Sequence, residues 1–173
     1  MTDEMRIPAE FRRFMGGITL LFFLGVLAAC QNRDPAYVLG LHCFAEHNLA
    51  PSRFVQTVWD PLQAQQVQVL ATAFLGARRF CAGEVIPARE GSKCGLRLYI
   101  DQQGRNVWRQ SIGQFRGNRF AVIVDGFYVG SSAFPTDFNT LEYVDLSPLW
   151  GRTEAQRIAE YVEKNYLWLN RLE

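Results

Sequence analysis

The chain has 173 residues, with 18 Lys and Arg against 17 Asp and Glu, and 13 Phe and four Trp to furnish a core. A balance this close to neutral, with no basic stripe, excludes a nucleic-acid footprint and a polybasic membrane patch. The length suits one ordinary domain after a short N-terminal extension.

The extension comes first in chain order. Arg6, Arg12 and Arg13 precede an apolar run over 18–27, and that run ends in Leu27-Ala28-Ala29-Cys30. The run has signal-peptide length and is shorter than the ~20 residues a spanning helix needs. Small residues before a cysteine resemble the lipobox of bacterial lipoproteins. There a peptidase cuts between Ala29 and Cys30, and the thiol, whose thiolate is the nucleophile, takes the diacylglycerol. Residues 1–29 are thus expected to be a signal-peptide helix, residues 30–36 the lipidated Cys30 and a polar tether, and residues 37–173 the working domain. Lipid on Cys30 anchors that domain to a membrane. Gln31 lacks the aspartate that commonly retains lipoproteins at the inner membrane, which points to the periplasmic leaflet of the outer membrane.

The next segment, 37–46, reads as a strand, with Tyr37, Leu39, Leu41 and Cys43 on one face and Val38, His42 and Phe44 on the other. Within it His42, Cys43, Glu46 and His47 are the densest group of ligand types. On a strand His42 and Glu46 share a face that Cys43 and His47 do not, so convergence on a metal is not expected and a wet strand end is. Segments 54–59 and 66–73 are further strands, the first stopped by Asp60-Pro61 and the second alternating Val67, Val69 and Ala71 with Gln66, Gln68 and Leu70. A short helical turn is expected in 74–81. A hairpin follows, 83–88 and 95–101, whose second arm alternates Leu96, Leu98 and Ile100 with Arg97 and Tyr99, the pattern of a sheet with one wet face.

Residues 104–116 predict an amphipathic helix with Trp108, Ile112 and Phe115 on its apolar stripe. Arg119–Val124, then Asp125-Gly126, then 127–130 is a hairpin with a two-residue turn, because Asp-Gly suits the positive φ that a type I′ turn requires. Asp125 and Gly126 are therefore turn residues, and Asp125→Asn should be nearly silent. A strand over 141–146 precedes a last helix, with Thr153 and Gln156 as a capping box and Ala155, Ile158, Ala159 and Val162 facing inward. At its end Tyr166, Trp168 and Leu169 either pack back onto the sheet or form an exposed apolar patch. The fold class is α+β: an antiparallel sheet with two main helices on one face.

From about residue 74 onward the blocks resemble the periplasmic head domain of SecD, the preprotein translocase subunit. They are Phe74-Leu75 with Ala82-Gly83-Glu84-Val85, Gly95-Leu96-Arg97-Leu98-Tyr99-Ile100-Asp101 with Gly104, residues 112–118, Arg119 through Gly126, residues 141–146, and Thr153 through Ala159. The loop 131–139 departs from the family's run. The resemblance implies a SecD-head-like fold.

Cys43, Cys81 and Cys94 allow one disulfide in three pairings. The hairpin geometry sets Cys81 and Cys94 too far apart, which favours three free, mostly buried thiols. No Gly-x-Ser-x-Gly elbow surrounds Ser131 or Ser132, so no catalytic residue, cofactor or metal is assigned. The reading is a lipid-anchored, non-enzymatic envelope protein that takes an extended peptide or protein partner at a sheet edge. Its alternative is a small-molecule or hydrolytic domain, with a groove beneath the 131–139 loop.

Overall fold

The computed structural model describes residues 35–45, 53–61, 63–87 and 92–171. The expected signal helix, the Ala29/Cys30 cleavage site and most of the tether lie outside the described residues, as do Glu46 and His47. Among the described residues no helix is long and apolar enough to cross a membrane.

The elements are strands β1 (Leu39–Cys43), β2 (Val55–Asp60), β3 (Gln65–Leu70) and β4 (Leu75–Gly76), a 3₁₀ turn (Ala77–Arg79), strands β5 (Phe80–Pro87) and β6 (Lys93–Ile100), helix α1 (Gln102–Phe115), strands β7 (Arg119–Val124), β8 (Phe127–Ala133) and β9 (Tyr143–Gly151), and helix α2 (Arg152–Leu169). Every ladder is antiparallel: β4-β1-β7-β8 form one sheet, β5-β6-β9 a second, and β2-β3 a two-stranded ribbon. Ser132 ties the two larger sheets together, its buried Oγ accepting the Ser147 N–H at 2.8 Å.

Alternation decides which side is buried. Leu96, Leu98 and Ile100 of β6 join Val144 and Leu146 of β9, Leu39 and Leu41 of β1, and Phe120 and Val122 of β7 in one core. Trp108 and Ile112 of α1 and Ala155, Ile158 and Val162 of α2 belong to the same core. The fold is α+β with antiparallel strands and two helices, the class the sequence predicts, but the strands divide into two sheets and a ribbon where a single sheet was expected. Gly83 lets α2 approach β5 closely, since a Cβ there would lie 3.0 Å from the Ala159 Cα. The opposite face of β7 carries Ala121 and Ile123, and the β2-β3 ribbon covers them with Val58 and Val69.

Several boundaries differ from the sequence expectation. Helix α1 starts at Gln102 rather than residue 104, because the Asp101 carboxylate accepts the Gly104 N–H at 2.6 Å and caps it. The expected capping box at Thr153 and Gln156 is absent. Strand β9 runs on to Gly151, paired with Lys93, so α2 begins at Arg152 with Gly151 as its N-cap and Thr153 inside the first turn. Trp150 belongs to the same strand, opposite Cys94.

The Asp125-Gly126 turn has positive φ at both residues, 50° and 84°, as a type I′ hairpin requires. Asp125 does more than turn the chain. Its two carboxylate oxygens accept the Tyr37 and Val38 N–H groups at 3.0 and 2.7 Å, and its own N–H donates to the Val38 carbonyl at 3.0 Å. It thereby holds the entry to β1 and a Tyr37 backbone with φ of 55°. An amide has only one oxygen for two donors, so Asp125→Asn is expected to cost about 1–2 kcal/mol rather than nothing. Gly126→Val is expected to cost about 1–3 kcal/mol through strain at positive φ. Thermal melts of both full-length variants check these values.

Candidate functional site

The ribbon and the end of β1 frame an open cleft. In an antiparallel strand, alternate residues point their backbone groups to opposite edges. In β3 the odd residues face β2, with Val67 opposite Val58 and Val69 opposite Gln56. The even residues face away. The Leu70 carbonyl accepts from His42 Nδ1 at 2.8 Å, and the Gln68 carbonyl accepts the Ala45 N–H at 3.1 Å. A single bridge joins Phe44 to Val69. Beyond it, among the described residues, no strand pairs with this edge, and by the same alternation the Gln66 N–H and C=O lie on the side away from β2.

That edge opens into a cleft of about 620 Å³, lined by Phe44, Thr57, Asp60, Tyr128, Val67 and the amides of Gln63, Gln65, Gln66 and Gln68. Phe44 and Tyr128 meet edge to face with centroids 6.3 Å apart. At its other end lies Asp60, only 3% exposed, whose carboxylate accepts the Gln63 N–H at 3.2 Å. The lining therefore offers planar hydrogen-bonding side chains, an aromatic wall and backbone groups in strand geometry. Extended peptides are recognised by such a combination.

His42 is not the expected wet strand end. It is 8% exposed and fixes β1 to β3 through the Leu70 carbonyl. Among the described residues no three His, Cys, Asp or Glu side chains converge as metal ligands. His42 and Ser131 lie in one row across the sheet, with Ala121 of β7 between them. Two strand spacings, roughly 10 Å, keep them from acting as base and nucleophile. Ser131 is instead held by Arg119, whose Nη2 reaches its Oγ at 2.7 Å, while Ser132 serves Ser147.

The groove expected beneath the 131–139 loop is occupied. β8 runs on through Ala133, and Phe134, 2% exposed, stacks on Trp108 and Phe115. The three described cysteines are free, Cys94 buried and Cys43 and Cys81 partly so. Pro87 pairs with Cys94, which puts Cys81 six residues along β5, roughly 20 Å away. Burial raises the Cys43 thiol above its usual range, keeping it protonated.

The wet face of β5-β6-β9 is self-contained. Arg97 makes a two-pronged ion pair with Asp145 at 2.8 and 2.9 Å and lies 3.9 Å from the Tyr143 ring centre. Tyr99 donates to Glu84 at 3.0 Å, and that bond raises the phenol above its ordinary value. Near the C-terminus Tyr166 and Leu169 are half-buried and Trp168 is 37% exposed, so the segment packs back in part and leaves Trp168 partly open.

No family model matches the sequence, and no curated protein matches it. Solved structures do. One, described as a membrane component SecDF that enhances protein export, superposes with a TM-score of 0.54 at 13% identity, over 75% of this chain and 63% of that one. Another, SecDF in a super-membrane-facing form, gives 0.55 at 15% identity, over 75% of this chain and 19% of that one. The chain thus spans less than two thirds of the length of either. At these identities the likeness is one of architecture: the domain has a SecD-like fold.

Proposed function

We propose that the protein is a lipid-anchored, non-enzymatic envelope protein whose domain binds an extended peptide segment of a partner by strand addition at β3. The Leu27-Ala28-Ala29-Cys30 box supports the anchor, at the outer membrane's periplasmic leaflet given Gln31. The observation that carries the binding role is the outward-facing backbone of Gln66, continuing a row already used by Ala45 and His42 at Gln68 and Leu70. A partner strand entering the cleft extends that row and lays alternate side chains against Phe44 and Tyr128.

Gln66→Pro tests this. Proline is tolerated where a strand's N–H faces away from its neighbour, so the ribbon keeps its fold. The variant loses one donor and crowds the edge. Peptides selected from a random library on the full-length protein are expected to bind Gln66→Pro about tenfold or more weakly, with the melting temperature held. Unchanged affinity would place binding elsewhere.

A further inference from the structure

Three contacts fix where the N-terminal tether meets the domain. Asn165 Nδ2 of α2 donates to the Ala36 carbonyl at 2.8 Å, the Tyr37 ring lies 5.3 Å from the Tyr161 ring, and the Asp125 carboxylate holds the Tyr37 and Val38 amides. Large apolar side chains stand exposed just past these grips. Phe127, following the Asp125-Gly126 turn, is 60% exposed; Leu167 and Trp168, in the helical turn after Asn165, are 49% and 37% exposed. Lys164, over the Tyr161 ring at 4.7 Å, and exposed Arg171 add positive charge beside them.

Single exposed apolar residues are ordinary. Here Phe127 follows Asp125 by two positions, Leu167 and Trp168 follow Asn165 by two and three, and only residues 31–35 separate Ala36 from Cys30. Fully extended, that link reaches roughly 20 Å, so an acyl chain on Cys30 keeps this end of the domain at the headgroup layer. Tryptophan favours that layer, with an apolar ring and a wet N–H, and lysine and arginine meet its phosphates. The other exposed large apolar side chains, Phe44, Phe54, Trp59 and Leu70, belong to the ribbon and the strand end beside it, apart from Phe138 near Arg116.

Resting on the anchor reading above, we infer that this end of the domain is a membrane-docking face, with Phe127, Leu167 and Trp168 seated in the lipid interface. The occupant is an anionic bilayer surface. Docking there fixes the orientation of the domain on the membrane instead of leaving it to swing on its tether.

The test uses the full chain, purified from membranes and reconstituted in vesicles of phosphatidylethanolamine and phosphatidylglycerol brominated in the upper acyl chain. Trp108 and Trp150 are buried, at 2% and 1% exposure, and Trp59 lies on the ribbon, so bromine should quench Trp168. More than half of the lipid-dependent quenching is expected to vanish in Trp168→Phe and to persist in Trp59→Phe. Phe127→Asp combined with Leu167→Asp is expected to reduce the quenching several-fold without a change in melting. Palmitate labelling of the same preparations reads the anchor separately. Label without Trp168 quenching overturns the docking face and leaves the anchor standing. Quenching without label upholds the face and overturns the anchor. Absence of both overturns both. Unquenched Trp168 in a protein that dimerises by light scattering assigns the face to a second copy and likewise overturns the proposal.

Discussion

Cys30→Ser is expected to abolish acylation and processing together. The serine hydroxyl is not ionised at neutral pH, whereas the thiol supplies the nucleophile that takes the diacylglycerol. On the proposed lipobox reading, cleavage before residue 30 follows that modification, so the variant should keep its first 29 residues and run as the larger precursor. Labelled palmitate followed by gel electrophoresis reads both effects at once. Label in the variant, or normal maturation without it, refutes the anchor. Ala29→Leu is a useful companion: on the same reading it is expected to block cleavage and leave Cys30 open to acylation.

Trp108→Ala is expected to be the most damaging single change within the domain. Trp108 stacks on Phe134 at 5.5 Å and Phe74 at 6.3 Å and meets Phe120 edge on at 6.0 Å. It is 2% exposed, and its indole N–H donates to the Thr140 carbonyl at 3.3 Å. Truncation opens a cavity among three aromatic rings and leaves that carbonyl without its donor. The expected cost is about 3–5 kcal/mol, a large share of the roughly 5–15 kcal/mol that stabilises a domain. For a domain of this size that lowers the melting temperature by roughly 10–15 °C. A shift of only a degree or two would mean that the cluster does not hold α1 to the sheets.

Much of the architecture is local and therefore legible in the residues. The Asp125-Gly126 turn needs only two positive φ angles, and the stripe of Trp108, Ile112 and Phe115 needs only helical spacing. The wet face of β6 follows from the alternation of Arg97 and Tyr99 with Leu96, Leu98 and Ile100. Non-local partners are another matter. Asp125 reads as a turn residue until Tyr37 and Val38, nearly ninety positions earlier, arrive beside its carboxylate. His42 reads as a wet strand end until the ribbon folds over it and offers the Leu70 carbonyl. Thr153 looks like a cap because nothing nearby says that β9 continues to Gly151. The site is the extreme case. Gln66 and Gln68 look like the polar half of an ordinary strand, and which edge of β3 the end of β1 meets depends on a pairing across 25 residues between Phe44 and Val69. The one sequence signal was the excess of amides: Gln63, Gln65, Gln66 and Gln68 within six positions.

Amide hydrogen exchange at Gln66, measured on the full-length protein with and without a selected peptide, tests the binding edge most directly. Without peptide the Gln66 amide should exchange fast, while Val67 and Val69, whose amides face β2, exchange slowly. Saturation with peptide should slow Gln66 by about tenfold or more, through one new hydrogen bond in a continued ladder. Binding that leaves Gln66 unchanged, and protects the free edge of β5 instead, would contradict the assignment of the cleft.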